Sequence, residues 1–392
     1  SAAAREPKSA MDTEEGAPEE GSESGGDGGA RGSGDDQDDG DDLGLNLVFC
    51  DDTFEKAFVQ AVGVSSFDDI MQLAKVAAVG RGLTRLPARV GELRGLRVLS
   101  LQSNSLTELP EQLCDLSGLT ELNVWSNRLA ALPDGIGKLG ALQSLCLWKN
   151  CLRSLPESMG GLSALQLLRL ESNQLASLPS GMGRLAALRQ LHAWSNQLGG
   201  LPDGIDDMSE LLELHLEGNS LERLPTRLNR FVELRVLDLT SNMLETLPAD
   251  IGELIELRSL RLSQNRLAAL PDTIGQLTEL EELHLAGNAL RCLPESLGDL
   301  CSLLELDLED NRLEALPEAL CGLSALLVLR LARNALEALP GALGEMRSLQ
   351  EITLAGNPLA AVPEGIEKLA AGSQDPESTD AVPSGLIQLC SP

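Results

Sequence analysis

Three tryptophans are the side chains in this sequence best suited to anchoring a binding partner. The 392 residues contain three tryptophans, five phenylalanines and no tyrosine. Trp125 and Trp194 each stand two residues before an asparagine in the tripeptide WSN, and Trp148 does so in WKN. An indole combines a large apolar area with an N–H donor, and tryptophan is enriched among the residues that dominate protein interfaces. What these rings can do depends on how the asparagine places them.

Two histidines offer a different chemistry. His192 and His215 are 23 residues apart, and Glu213 and Glu217 lie close to the second. Two imidazoles and a carboxylate suffice to bind zinc in some proteins. The alternative is that these are ordinary surface histidines on a polar strand. We favour that alternative and expect neither a metal nor a cofactor, because a flat sheet would splay the ligands apart.

The asparagines that follow the tryptophans belong to a regular series. A proline follows each asparagine at a fixed offset, and the consensus is LxxLxLxxNxLxxLPxxIGxL, with a period of 23 residues. The series contains Asn104, Asn127, Asn150, Asn173, Asn196, Asn219, Asn242, Asn265, Asn288, Asn311, Asn334 and Asn357. A fixed period of this length with this leucine pattern is typical of a leucine-rich-repeat solenoid.

The spacing within one repeat predicts its structure. In LxxLxL the last two leucines alternate with a polar residue, which is the period of a strand with one buried face. The asparagine should point inward and bond the backbone of its own coil and the next one. A short helical or 3₁₀ segment should follow LP. We therefore predict an α/β horseshoe of about 13 coils of 23 residues. Its parallel sheet lines the concave face, and the helical segments lie on the convex face.

The strand alternation also predicts which side chains point out of the concave face. They lie six, four, two and one residues before each asparagine, and the sites two and four residues before it hold all the tryptophans and histidines. One alternative is that the indoles lie flat on the sheet and pack on each other. The acidic residues near 305–310 form a patch that could receive a basic loop of a partner, and Arg330 and Arg333 partly offset its charge. The alternative for this patch is an ordinary solvated face. The candidate protein-binding residues are Asn123, Trp125, Trp148, Lys149, Arg169, Glu171, His192, Trp194, His215, Glu305, Asp307 and Glu309.

Composition divides the chain into four parts. Residues 1–42 are rich in Gly, Ser, Asp and Glu and are expected to be disordered. Residues 43–72 form an N-terminal cap, with helices near 53–62 and 67–73. Capping boxes are predicted at Asp52 with Glu55 and at Ser66 with Asp69. The array occupies residues 73–369, and residues 370–392 form a flexible tail.

Charge and cysteine content restrict the partners and the compartment. The net charge is −30, which argues against nucleic acid and anionic membranes as partners. No stretch approaches the length of a membrane span, and we expect no secretory signal. The eight cysteines form no CxxC pair, so we expect no disulfides and a reducing, cytoplasmic location.

Catalysis finds little support in the motifs. The sequence has no phosphate-binding GxxxxGK[ST] loop and no GxSxG nucleophile motif. We attribute the recurring glycine of xxIGxL to the needs of a turn. An open sheet would also fail to exclude water from a reacting centre.

The stretch LPDGIGKLGALQSLCLWKNCLRSLPESMGGLSALQLLRLESNQLASLP resembles the Ras-group class of intracellular leucine-rich repeats. The resemblance covers about residues 73–369 and implies a cytoplasmic adaptor whose concave face binds a folded protein, with small GTPases and phosphatases as known partners. We therefore predict a non-enzymatic interaction scaffold in intracellular signalling. The alternatives are a regulatory subunit of a phosphatase or ubiquitin ligase, a component of a cytoskeletal or ciliary assembly, and a metal- or small-ligand-binding protein.

Overall fold

A computed structural model describes residues 51–225 and 227–366. The predicted disordered segment 1–42, the tail 370–392 and the first residues of the predicted cap lie outside the described residues. Two α-helices begin the described chain, α1 (Asp51–Val62) and α2 (Phe67–Ile70). A sheet of short strands follows.

The cap helices differ in detail from the prediction. The capping box at Ser66 is confirmed, since its hydroxyl accepts from the Asp69 N–H and the Asp69 carboxylate accepts from the Ser66 N–H. The box predicted at Asp52 is wrong, because α1 already includes Asp51 and Asp52 lies in its first turn. Glu55 instead bonds Arg89 of the first 3₁₀ segment at 2.9 Å. α2 ends at Ile70, three residues earlier than predicted, because the chain must turn to enter the sheet.

Within the described residues, thirteen parallel strands form one sheet in the order of the sequence. Each strand pairs with the next in a register of 23 residues, so Leu145 faces Leu168 and His192 faces His215. The strands are β1 (Lys75–Ala77), β2 (Val98–Ser100), β3 (Glu121–Asn123), β4 (Ser144–Cys146), β5 (Leu167–Arg169), β6 (Gln190–His192), β7 (Glu213–His215), β8 (Val236–Asp238), β9 (Ser259–Arg261), β10 (Glu282–His284), β11 (Glu305–Asp307), β12 (Val328–Arg330) and β13 (Glu351–Thr353).

Short 3₁₀ helices return the chain from one strand to the next, as the LP signal predicted. Most start directly after a proline, whose fixed φ suits the extended residue before the helix. They span Ala88–Glu92, Glu111–Asp115, Ile136–Lys138, Glu157–Gly161, Ser180–Arg184, Ile205–Asp207, Ala249–Glu253, Asp272–Gln276, Glu295–Asp299, Glu318–Gly322 and Gly341–Glu345. The leucines of strands and 3₁₀ segments form one continuous buried core between them.

The asparagines are turned inward, but they bond a different neighbour from the one predicted. Asn196 donates through Nδ2 to the carbonyls of Ala193 in its own coil and Leu170 in the preceding coil, at 3.1 and 3.0 Å. Its Oδ1 accepts from the N–H of Leu175, also in the preceding coil, at 3.0 Å. The amide therefore bonds backward, because the turn of the preceding coil offers both a carbonyl and a free N–H there. The ten interior asparagines are buried, and Asn104 and Asn357 at the two ends are half-buried.

The residue just before each asparagine adopts a left-handed backbone. At Ser195, φ is 52°, and at Lys149 it is 53°. Glycine occupies this site in three coils, including Gly218 with φ 65°. L-residues pay roughly 1–2 kcal/mol for this conformation. This conformation turns the chain away from the sheet, and the side chains of Ser195 and Lys149 are exposed to solvent.

The recurring glycine of xxIGxL has a different cause from the one expected. Gly137 lies in a 3₁₀ helix, and a Cβ added there would lie 1.9 Å from the carbonyl oxygen of Ser158 in the next coil. Adjacent 3₁₀ segments thus approach too closely for a side chain. The glycine is needed for packing between coils rather than for a turn.

Candidate protein-binding surface on the strand face

The outward side chains form three parallel rows on one side of the sheet, here called the strand face. The −6, −4 and −2 rows are the positions six, four and two residues before each asparagine. The register pairs each residue with its equivalent in the next coil, and neighbouring strands lie about 4.8 Å apart. The ladder continues beyond the strands, since the Ser172 N–H bonds the Trp194 carbonyl at 3.0 Å. Rare side chains in neighbouring coils are therefore brought into contact.

Trp125 and Trp148 stack face to face in the −2 row. Their ring centroids are 4.2 Å apart and their planes differ by 13°. Both rings are half-buried. The indoles do pack on each other, as one alternative predicted, but they stack along the row instead of lying flat on the sheet.

Two cations contact the second of these rings. The Lys149 ammonium lies 5.2 Å from the centroid of the Trp148 ring, and the Arg169 guanidinium lies 5.5 Å from it. Each is within the distance at which a cation is attracted to the face of an indole. Trp148 is therefore held by Trp125 on one side and by a basic residue of the following coil on the other.

Glu171 is a buried carboxylate in the same row, between the coils of Trp148 and Trp194. Its side chain has 0% exposure, and Oε1 accepts from Arg169 Nε at 2.7 Å. Within the described chain, Oε2 has no hydrogen-bond partner. Burial raises the pKa of Glu171 above its ordinary value, partly opposed by its own backbone N–H and by Arg169. The strand face thus contains an ion pair beside its aromatic side chains.

Trp194 stands apart from the other two indoles. It is half-buried and has no stacking partner among residues 51–225 and 227–366. Its neighbours in the −2 row are Glu171 and Glu217. Burial, with repulsion from Asp238 and Glu171, raises the pKa of Glu217 to about 7. The Glu217 Oε2 also has no partner in the described part of the chain.

The histidines come closer together than expected. The rings of His192 and His215 stack in the −4 row with centroids 4.6 Å apart and planes 5° apart. His215 Nε2 lies 3.5 Å from Glu213 Oε2. Burial, followed by the proximity of His215 and Arg169, lowers the pKa of His192 to about 4. One ligand atom each from His192, Glu213 and His215 lies within 4.8 Å of the others, so the flat sheet does not splay them as expected.

The acidic residues in and directly after β11, here called the β11 cluster, are largely paired within the chain. Glu305 bonds Arg330, and Glu309 contacts Arg333 at 3.2 Å. Asp307 accepts from the Glu309 N–H at 3.0 Å. These contacts leave less free negative charge for a basic loop than the composition indicated.

The predicted residues therefore fall into two groups on one face. The larger group runs from Asn123, whose buried Oδ1 has no partner among the described residues, to His215. The smaller group is the paired β11 cluster. Sequence reasoning missed Asp238 and Arg261, which lie 3.9 Å apart beside the first group. Their positions in the −4 row could have identified them, because Asp238 is next to His215 and Arg261 is next to Asp238.

The strand order, the 3₁₀ returns and the inward asparagines define the class of this protein as a leucine-rich-repeat solenoid. Models of the leucine-rich repeat family match residues 117–175, 255–313 and 306–359, and a second such model matches residues 95–116. A leucine-rich repeat protein of Leptospira interrogans has a similar structure, with TM-score 0.66 and 32% identity over 79% of this chain and 85% of that one. The chain belongs to the leucine-rich repeat family.

Two further structures show how widely this architecture is shared. An internalin of Listeria monocytogenes has TM-score 0.70 and 20% identity over 81% of this chain and 92% of that one, which is a likeness of fold alone. A plant peptide hormone receptor in complex with RGF2 has TM-score 0.67 and 26% identity over 76% of this chain and 54% of that receptor. A comparison with curated proteins gave no match.

The six cysteines in the described residues are all free. No helix within residues 51–225 and 227–366 is both long and apolar enough to cross a bilayer.

Proposed function

We propose that this protein is a non-enzymatic scaffold that binds a folded protein across its strand face. Trp125, Trp148 and Trp194 are the proposed anchors. The observation that carries the proposal is that all three tryptophans of the chain lie in one row on this face, half-buried and framed by charged side chains. A row of this kind resembles the centre of an interface, where aromatic residues and arginine are enriched.

The preorganisation of these side chains supports the proposal. Ordering a flexible side chain at an interface costs about 0.5–1.5 kcal/mol. Trp148 is already fixed by its stack with Trp125 and by the Arg169 guanidinium. The sheet that carries them is fixed by the buried asparagines. A partner therefore meets a surface that needs little ordering.

The partner class follows from charge and from the repeat type. With a net charge of −30, the chain favours a partner with a basic surface. The resemblance of the 23-residue repeats to the Ras-group class supports a small GTPase, or a phosphatase, in intracellular signalling. The free cysteines support a reducing, cytoplasmic location.

Affinity purification with mass spectrometry tests the proposal. The baits are the wild-type chain and a Trp125→Ala/Trp148→Ala/Trp194→Ala variant. Because truncating a hot-spot residue costs at least about 2 kcal/mol, and tryptophan is enriched among hot spots, we expect recovery of the main partner to fall more than about tenfold. A matched control replaces Val232 and Ile255, apolar side chains outside the strands that are 51% and 57% exposed, with alanine.

The control should recover the partner as the wild type does. Equal recovery by the triple variant would contradict the proposal. A collapse of its melting temperature, with the partner lost for that reason, would favour the packing role of the indoles. The single variant Trp194→Ala separates the two roles, because this ring has no stacking partner among the described residues.

A further inference from the structure

Polar side chains around His215, in the −4 row and the two rows beside it, form a cluster separate from the three tryptophan anchors of the docking proposal. Two groups of potential metal ligands overlap there, and each keeps its ligand atoms within 4.8 Å of one another. The first contains His192, Glu213 and His215. The second contains His215, Glu217 and Asp238. His215 is common to both.

The side chains of the first group are available to a ligand. No hydrogen bond to either ring nitrogen of His192 occurs in the described residues, and the Glu213 carboxylate lies 3.5 Å from His215 Nε2. In the second group, Asp238 is already engaged, since Oδ1 accepts from the Thr240 N–H at 2.9 Å. Its Oδ2 also lies 3.9 Å from the Arg261 guanidinium. The first group is therefore the freer one.

Local charge favours a cation at this place. Arg169 is bonded to Glu171, and Arg261 is bonded to Glu282 at 3.0 Å. Each guanidinium is therefore partly neutralised by its own carboxylate partner, and its remaining positive charge is outweighed by the carboxylates of Glu213 and Glu217 next to His215. The Glu217 carboxylate beside His215 keeps a buried oxygen without a partner in the described part of the chain.

We propose that His192, Glu213 and His215 bind a divalent transition metal ion of the zinc class. Two imidazoles and a carboxylate are a ligand set that zinc accepts, and such a site leaves one position open. Zinc–nitrogen bonds of about 2.0–2.1 Å place tetrahedral ligand atoms about 3.3 Å apart. The ligand atoms lie within 4.8 Å of one another, so they must close by at most about 1.5 Å. The stacked imidazoles must also tilt so that a nitrogen of each points at the ion, and rotation about χ1 and χ2 of the two histidines provides this movement.

Zinc titration of the purified full chain by calorimetry tests this site. Exposed cysteines such as Cys151 are first blocked with iodoacetamide in every sample, because thiolates also bind zinc. We expect one Zn²⁺ to bind the wild type. His215→Ala, which breaks both ligand groups, and Glu213→Gln, which keeps the shape of the side chain, should each weaken binding by at least about tenfold.

His284→Ala is the matched control. His284 also follows a glutamate by two positions, with Glu282 3.9 Å away, but its neighbours in the −4 row are Arg261 and Asp307 instead of a second histidine. This variant should bind zinc as the wild type does. Any one of three results would overturn the proposal. The wild type does not bind zinc, or His215→Ala and Glu213→Gln bind it as tightly as the wild type, or His284→Ala loses as much affinity as these two variants. The site does not depend on the docking function, so the two tests can fail separately.

Discussion

Replacing an interior asparagine should cost far more stability than its small size suggests. In Asn196→Ala, the Leu175 N–H loses its acceptor and is left buried without a partner. The carbonyls of Leu170 and Ala193 each keep one donor, because Asn173 and Asn219 of the neighbouring coils also bond them, at 2.9 and 3.0 Å. The expected cost is about 1–3 kcal/mol for the orphaned N–H and about 0.5–1.5 kcal/mol for each lost carbonyl bond, or roughly 2–4 kcal/mol after partial relaxation.

Equilibrium urea unfolding followed by circular dichroism measures this cost. Asn357→Ala removes the equivalent amide from the half-buried end of the array, where water can replace it, and should cost about 1 kcal/mol. Gln197→Ala, which removes an exposed side chain next to Asn196, is the control and should stay within about 0.5 kcal/mol of the wild type. If Asn196→Ala cost no more than Gln197→Ala, the reasoning about the asparagines would be refuted.

Three further predictions concern packing and ionisation. Burial raises the pKa of Cys114 to about 11, so iodoacetamide at pH 8 should modify it far more slowly than the exposed Cys151; equal rates would contradict this. Gly137→Ala should destabilise the fold by about 1–3 kcal/mol, whereas Gly140→Ala, whose Cβ would meet only an atom 4.0 Å away, should be tolerated in the same thermal melts. Burial raises the pKa of Glu171 from its ordinary value of 4.5, so the stability contributed by its protonated form is present below pH 4.5 and is lost as the pH rises through the folded-state pKa. The melting temperature of Glu171→Gln relative to wild type should therefore increase between pH 4.5 and pH 8, and a difference independent of pH would argue against this assignment.

Much of the fold follows from periodicity alone. An uninterrupted 23-residue repeat fixes the register of every strand, so the rows that contain His192 and Trp194 could be assigned before any coordinates. The buried site of the asparagine followed from its place in the leucine pattern. The capping box at Ser66 followed from a local motif that needs no tertiary contact.

The parts that could not be predicted depend on distances between coils. The backward bonding of Asn196 depends on which coil presents a free N–H at its level, and the need for Gly137 depends on the approach of Ser158. The stacking of Trp125 on Trp148 is a choice of rotamer that spacing does not determine. The pairing of Glu305 with Arg330 likewise needs the relative placement of two long side chains.

Fluorine NMR of the labelled tryptophans tests the central claim most directly. Trp125, Trp148 and Trp194 are the only tryptophans in the sequence, so 5-fluorotryptophan labels the three proposed anchors and no other residue. An unlabelled partner adds no fluorine signal. The purified partner is added until complex formation is complete by size-exclusion chromatography. Our account predicts that the three resonances shift or broaden on binding. Three unchanged resonances in a fully formed complex would show that the partner binds elsewhere and would contradict the account.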